Sequence, residues 1–196
     1  MKLLSLIAGL AMAMTLVAGA QAYSLSLGKP GYGGTGCPAG SASASLGPDG
    51  KSLRLTFSKF IAKAGGSASK ADARKACSLQ IPLHVPQGVT VSVLAIDYRG
   101  HNEIPAGSTS VFSVEYFFTG TTGPKFTKTF TGPLSADYQV SNKLTGSSTI
   151  WSACGADVIL RTNSSIRVTG TAKASASVGS QKIKAGIEFQ LQWKNC

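Results

Sequence analysis

In CSLQIPLHV, residues 77–85, every second side chain from Cys77 to Val85 is apolar, and those between are Ser78, Gln80, Pro82 and His84. A period of two gathers Cys77, Leu79, Ile81, Leu83 and Val85 on one face of a strand; a helix would scatter them around its axis. The same alternation returns along the chain. SLRLTF (52–57) sets Leu53, Leu55 and Phe57 against Arg54 and Thr56, and VFSVEYFF (111–118) sets Phe112, Val114, Tyr116 and Phe118 on one side. VTVSVLAIDY (89–98) and KFTKTFT (125–131) are further strand candidates. Pro48-Asp49-Gly50 between SASAS and SLRLTF has favourable turn chemistry. Only ASKADARKA (68–76) offers a helical reading, and it is short enough to be a turn. Many short strands separated by turn signals predict an all-β chain: a single-domain antiparallel β-sandwich of Ig-like or jelly-roll-like type.

The C-terminal stretch invites a more detailed expectation. SIRVTGTAKASASV (165–178) and QKIKAGIEFQLQW (181–193) both alternate, and Gly179-Ser180 between them suits a two-residue turn with glycine first. That turn predicts a hairpin pairing Ala176 with Ile183, Ala174 with Ala185, Ala172 with Ile187, Gly170 with Phe189, Val168 with Leu191 and Ile166 with Trp193, all on one apolar face. Its other face would carry Arg167, Lys173, Lys182, Lys184 and Lys194 against Glu188.

Residues 1–22 read as an export leader: Lys2, an apolar run, and AQA before Tyr23 as a small-x-small cleavage site. No other stretch is long and apolar enough to span a bilayer, so no transmembrane segment is expected after the leader. The domain reading is therefore leader 1–22, a Gly-rich lead-in at 23–40 around GKPGYGGTG, and a sandwich at 41–196. The expected location is secreted or periplasmic. Export and an even count make Cys37, Cys77, Cys154 and Cys196 disulfide candidates. Metal sites need close cysteine pairs, and here the spacing is too wide. If Asn163-Ser164 were also a tight turn, Cys154 and Cys196 would fall at opposite ends of a meander, beyond the roughly 7 Å that a bridge spans. The chain could instead cross between sheets at Asn163. All three connectivities stay open.

Lys2 lies in the leader, so the remainder carries eighteen basic against eight acidic residues, a net +10. Such a charge attracts polyanions, and the lysine face of the predicted hairpin is the candidate surface for an anionic polysaccharide or another polyanion. No aromatics interleave with those lysines, which argues against specific nucleic-acid binding. The competing reading of the same face is a solvated row of charges that protects strands from pairing with other chains.

IDYRGHNEIP (96–105) packs Asp97, Arg99, His101 and Glu103 closely together. Asp97, His101 and Glu103 are the catalytic candidates for a secreted hydrolase acting on polysaccharide. Asp97 and Arg99 share a side of their strand, where a local ion pair is the commoner outcome. Gly100 is expected to break the strand, with Asn102 to Pro105 continuing as a loop. The sequence holds no G-x-S-x-G elbow and no H-E-x-x-H, and Tyr23, not histidine, would open the mature chain. No cofactor or metal is expected. The primary expectation is a non-catalytic binding or envelope-associated protein. The rivals are the hydrolase and an effector or inhibitor of a foreign protein. The oligomeric state is not indicated.

GTGCPAGS, ACSLQIPLHVPQG, IDYRGH, VEYFFTG, FTGPLSADY, IWSACG, RTNSSIRV and the terminal QWKNC occur in that order. Together they resemble a family of small secreted proteins of unknown function found in bacteria and filamentous fungi. Pro86-Gln87-Gly88, Asp97-Tyr98-Arg99-Gly100 and Trp151 with Cys154-Gly155 are the most specific pieces. The resemblance implies an exported, disulfide-bonded β-protein and supplies no activity. His101 departs from the tyrosine expected after DYRG, which speaks against a catalytic role shared by the family.

Overall fold

The computed structural model describes residues 25–179 and 186–196. Its strands, in chain order, are β1 (Ser26–Leu27), β2 (Gly31–Gly33), β3 (Ala42–Leu46), β4 (Ser52–Phe57), β5 (Ile61–Ala64), β6 (Arg74–His84), β7 (Val89–Ile104), β8 (Thr109–Phe118), β9 (Lys125–Thr131), β10 (Leu134–Lys143), β11 (Asp157–Thr169), β12 (Ala174–Val178) and β13 (Ile187–Asn195). They form two antiparallel sheets. The first runs β1-β6-β11-β8-β9, with β2 also on β6; the second runs β3-β4-β13-β7-β12-β5, with β10 on β7. ASKADARKA forms a turn that leads into β6.

The predicted faces meet between the sheets. Leu53, Leu55, Leu79, Ile81, Leu83, Val114, Tyr116 and Phe118 are all buried, alternating with exposed or half-buried neighbours. Burying such side chains is the main stabilising term of a sandwich core, about 1.5–3 kcal/mol for each large apolar one. The sequential disulfides are the ones formed: Cys37–Cys77 and Cys154–Cys196. The Gly-rich segment is more than a lead-in: β1 and β2 pair with β6, and Cys37 ties the segment to that same strand. Gly36 fits there because a Cβ would strike the Phe60 ring.

The predicted hairpin does not form. β11 runs unbroken through Asn163-Ser164 and pairs with β6 and β8; Ile166 faces Lys75 and Phe112, and Val168 faces Ser110. The chain changes sheets at Gly170, whose φ of +145° suits glycine and where a Cβ would overlap Ser108. β12 and β13 then lie end to end along one edge of β7. Ala176 faces Asn102, and Ile187 and Phe189 face Tyr98 and Ile96. Gly179 N–H donates to the Arg99 carbonyl at 2.8 Å and Arg99 N–H to the Gly186 carbonyl at 2.8 Å, so the chain leaves and rejoins the same edge. The turn expected at Gly179-Ser180, with Ile183, Ala185, Lys182 and Lys184, falls partly outside the described residues.

Because β11 is one strand, the Cys154–Cys196 bridge is geometrically simple. Cys196 N–H donates to the Gly88 carbonyl at 3.0 Å, and Gly155 N–H donates to the Val89 carbonyl at 2.9 Å. The Gln87 amide donates to the Gly155 carbonyl at 2.7 Å. Both cysteines are thereby brought to the start of β7.

Candidate functional site

β7 contains one irregularity that decides where its charged residues point. Gln190 of β13 faces Ala95 while Leu191 faces Val93, leaving Leu94 as an extra, exposed residue. Such a bulge inverts the inside–outside parity of the strand. Val89, Val91 and Val93 belong to the core before it; Ile96, Tyr98 and Ile104 belong after it. Asp97, Arg99, His101 and Glu103 consequently share the outer face of the second sheet. β7 continues to Ile104, so the loop expected after Gly100 is strand instead. Gly100 marks a close approach rather than a break. Tyr138, its partner on β10, lies across it, and a Cβ at Gly100 would overlap both the Ser177 carbonyl and the Tyr138 hydroxyl.

The four residues divide into two neighbouring networks. Arg99 bridges Glu188 (Nη1–Oε2 2.8 Å) and Asp97 (Nη2–Oδ2 3.5 Å), and Arg54 Nε donates to Glu188 Oε1 at 2.9 Å. Asp97 also accepts hydrogen bonds from Ser141 and Gln190, the latter at 3.2 Å. Burial alone would raise the Glu188 pKa, but the hydrogen bonds and charges of Arg99 and Arg54 hold it below the ordinary 4.5. In the second network His101 Nδ1 lies 2.8 Å from Asp137 Oδ1, its Nε2 lies 3.7 Å from Glu103 Oε2, and Ser135 donates to Glu103 at 2.6 Å.

Asp97 and His101 therefore do not meet. The partners of His101 are Asp137, supplied by β10, and more distantly Glu103. Hydrolysis needs a nucleophile or activated water, a base and an orienting group converging on one point. Here Asp97 is buried within its own network, Glu103 and Asp137 lie on an exposed sheet face, and both imidazole nitrogens face carboxylates. His84 makes a similar exposed pair with Asp157 at 2.6 Å. Among the described residues no group of three His, Cys, Asp or Glu side chains is placed to hold a metal ion.

The basic candidates are dispersed. Arg167 stands on the outer face of the first sheet, opposite Arg74 and Val111. Lys173 is exposed in the crossover between β11 and β12. Lys194 sits near the end of β13, its Nζ 4.1 Å from the centre of the Trp151 ring, a cation–π contact. Lys182 and Lys184 lie outside the described residues. The single lysine face predicted for the hairpin is thus not made, because β11 and β13 belong to different sheets.

What replaces it is a basic region around the turn 65–73. A cleft of about 510 Å³ is lined by Lys70, Ala73, Arg74, Arg167, Thr169 and Gly170 among others. On the other side of the turn, a second and larger cleft includes Lys63, Asp72, Glu103, Lys173 and Ser175. Asp72 is held by Lys75 Nζ at 2.8 Å and by the Ser69 hydroxyl at 2.7 Å, and these bonds lower its pKa to about 2. Lys70 and Arg74 escaped the sequence reading because ASKADARKA was read only as a short helix or turn. Their closeness to Arg167 depends on the β6–β11 pairing, which no local pattern encodes.

Two disulfides, two antiparallel sheets and a polar, ion-paired outer face define an exported, disulfide-stapled β-sandwich. The chain belongs to the family described as Domain of unknown function (DUF4360), which it matches over residues 24–196. It is 36% identical over 169 residues to an uncharacterized secreted protein of Arthroderma benhamiae, covering 84% of this chain and 69% of that protein. The secreted relative and the two disulfides place the protein outside the cell.

Proposed function

We propose that this secreted sandwich is a non-catalytic binding protein for an anionic surface polymer, held by basic clefts at the β5–β6 turn and the β11–β12 crossover. One observation carries the reading. Asp72, Asp97, Glu103, Asp137, Asp157 and Glu188 each have a hydrogen-bond or ion-pair partner, whereas Lys70, Arg74, Arg167 and Lys173 make no ion pair among the described residues. Most acids are thus engaged within the protein, and of the cations without an ion pair among the described residues, Lys70, Arg74, Arg167 and Lys173 line two adjoining clefts, the second of which also holds Asp72 and Glu103. A polymer of repeating negative charge can occupy several of these cations at once, and each contact releases counterions. An effector that docks on a foreign protein would favour a broad apolar patch. Ile61 and Leu94 are the large apolar side chains exposed among the described residues, and they stand on different strands.

Chromatography of the full secreted chain tests the reading. Retention on an anionic polysaccharide matrix should fall steeply as sodium chloride rises, with none on the uncharged parent polymer. Neutralising Lys173, Lys182 and Lys184 together should bring elution to lower salt. Equal elution from both matrices at low salt would dispose of the proposal.

A further inference from the structure

The geometry points to a defined oxyanion site in the cleft between the turn 65–73 and the Thr169–Gly170 crossover, built by Arg74, Arg167 and Lys70 and selective for a terminal phosphate or sulfate group. This deepens the polymer-binding reading and rests on it for the biological source of the group.

The cleft holds a local conflict of charge. Arg74 on β6 and Arg167 on β11 are direct cross-strand partners on the same outward face. Like charges placed directly opposite one another destabilise a sheet. The remaining neighbour of Arg167 across the sheet is Val111, which offers no charge. Neither arginine has an acidic partner among the described residues, and both line the cleft that Lys70 also lines. The carboxylate of the same turn is committed elsewhere: Asp72 is bound by Lys75 and Ser69, and it lines the neighbouring cleft. Three cations therefore line one cleft with no acidic partner among the described residues.

The scaffold around them is fixed by backbone bonds. Ala68 N–H donates to the Gly65 carbonyl at 3.1 Å, Asp72 N–H to the Ser69 carbonyl at 3.0 Å, and Lys63 N–H to the Asp72 carbonyl at 2.8 Å. Val168 N–H donates to the Ala73 carbonyl at 2.8 Å, which fastens the turn to β11. Gly65 has a φ of +70°, and a Cβ there would collide with the Ala172 carbonyl, so the crossover passes as close as it does only over a glycine. Positive side chains are thus presented from a braced edge.

The number of oxygens sets the selectivity. A guanidinium is a planar fork that binds two oxygens at once. One such fork satisfies a carboxylate. Two forks and an ammonium can be satisfied by a terminal phosphate or sulfate, which has three or more free oxygens. The charge conflict also predicts that the free site lowers stability and that its occupant raises it, because a ligand bound only by the folded form stabilises it.

Titrations of sodium phosphate, sodium sulfate and sodium acetate at fixed ionic strength test the site, followed by the Nε–H resonances of Arg74 and Arg167 in the full secreted chain. Phosphate or sulfate should shift both resonances saturably, and acetate should bind at least tenfold more weakly. Arg74→Gln and Arg167→Gln should each weaken binding at least tenfold while raising the melting temperature of the anion-free protein. Lys51→Gln, between β3 and β4 and outside both clefts, should leave the titration unchanged. Linear drift without saturation, equal response to acetate, or a lowered melting temperature in both arginine variants would overturn the inference. The relative strength of phosphate and sulfate separates a phosphorylated from a sulfated polymer. If retention on the polysaccharide matrix is unchanged in both arginine variants and no saturable shift is seen, this site fails and the broader reading stands. If the shift saturates but the matrix does not retain the wild type, the polymer reading fails and the oxyanion site stands.

Discussion

Gly100 shows how much one position can carry. It lies within β7, between β10 and β12, with no room for a side chain on the inner face. Tyr138 fills that space; its hydroxyl donates to the Ser177 carbonyl at 2.9 Å, its ring packs on Phe130 at 4.8 Å, and burial pushes its pKa upward. This is an aromatic laid over a strand glycine. Gly100→Ala should therefore cost about 1–3 kcal/mol, because the added methyl meets backbone oxygen, which can yield only by moving β12. Thermal melting should show a fall of about 5 °C for a chain of this size, and an unchanged midpoint would refute the close-packing account. A strand glycine signals a break, a bulge or a close approach without distinguishing them. The distinguishing residue, Tyr138, arrives with another strand. The same holds for the ion pairs: Asp97 and Arg99 could be paired from their spacing, whereas Glu188 and Asp137, which complete the two networks, are brought by distant segments.

At the level of elements, alternation gave the inward faces and left the partners undetermined. The hairpin register expected around Gly179-Ser180 looked self-consistent because each strand carries its apolar residues at one parity. Any register of matching parity sets apolar against apolar, so that agreement could not discriminate. The actual partner, β7, was invisible to local sequence. The Leu94 bulge was equally hidden, although VLAI, with no polar residue in four, is its trace. Several of the motifs singled out in the sequence lie together in the structure. Pro86-Gln87-Gly88, Trp151, Cys154-Gly155 and Cys196 meet where β7 begins, with Trp151 bridging to Ser92 and Ser152 N–H donating to the Val91 carbonyl at 2.8 Å. At this place they close one end of the sandwich. The Cys154–Cys196 bridge closes a separation of 42 residues. Replacing both cysteines by serine should lower stability by about 4 kcal/mol in the chain-entropy account. Urea unfolding should show it, and hydrogen exchange should localise the loss to the amides of Val89 and Val91. A midpoint within error of wild type would mean that the non-covalent contacts at this end suffice.

For the molecule as a whole, charge couples stability to pH in a definite direction. The folded Glu188 carboxyl has a pKa held below 4.5 by Arg99 and Arg54. A group whose pKa is lower in the folded state contributes stability that is present above its unfolded value and lost as pH falls through its folded one. Below about pH 4.5 the unfolded chain takes up this proton first, and the folded state weakens progressively. Asp72 acts in the same sense, reaching down to about 2, though its exposure leaves its contribution screened. Protonation also removes the negative charges that offset the basic excess, so repulsion among Lys70, Arg74, Arg167 and Lys173 grows in the same range. Glu188→Gln should therefore be less stable than wild type at pH 7, by about 1–3 kcal/mol for lost charge-assisted hydrogen bonds. It should lose less on acidification, so that urea midpoints of the two proteins, measured between pH 7 and pH 3, converge at the acid end. Parallel curves would show that the Arg54–Glu188–Arg99 bridge across β4, β13 and β7 contributes nothing that depends on its charge.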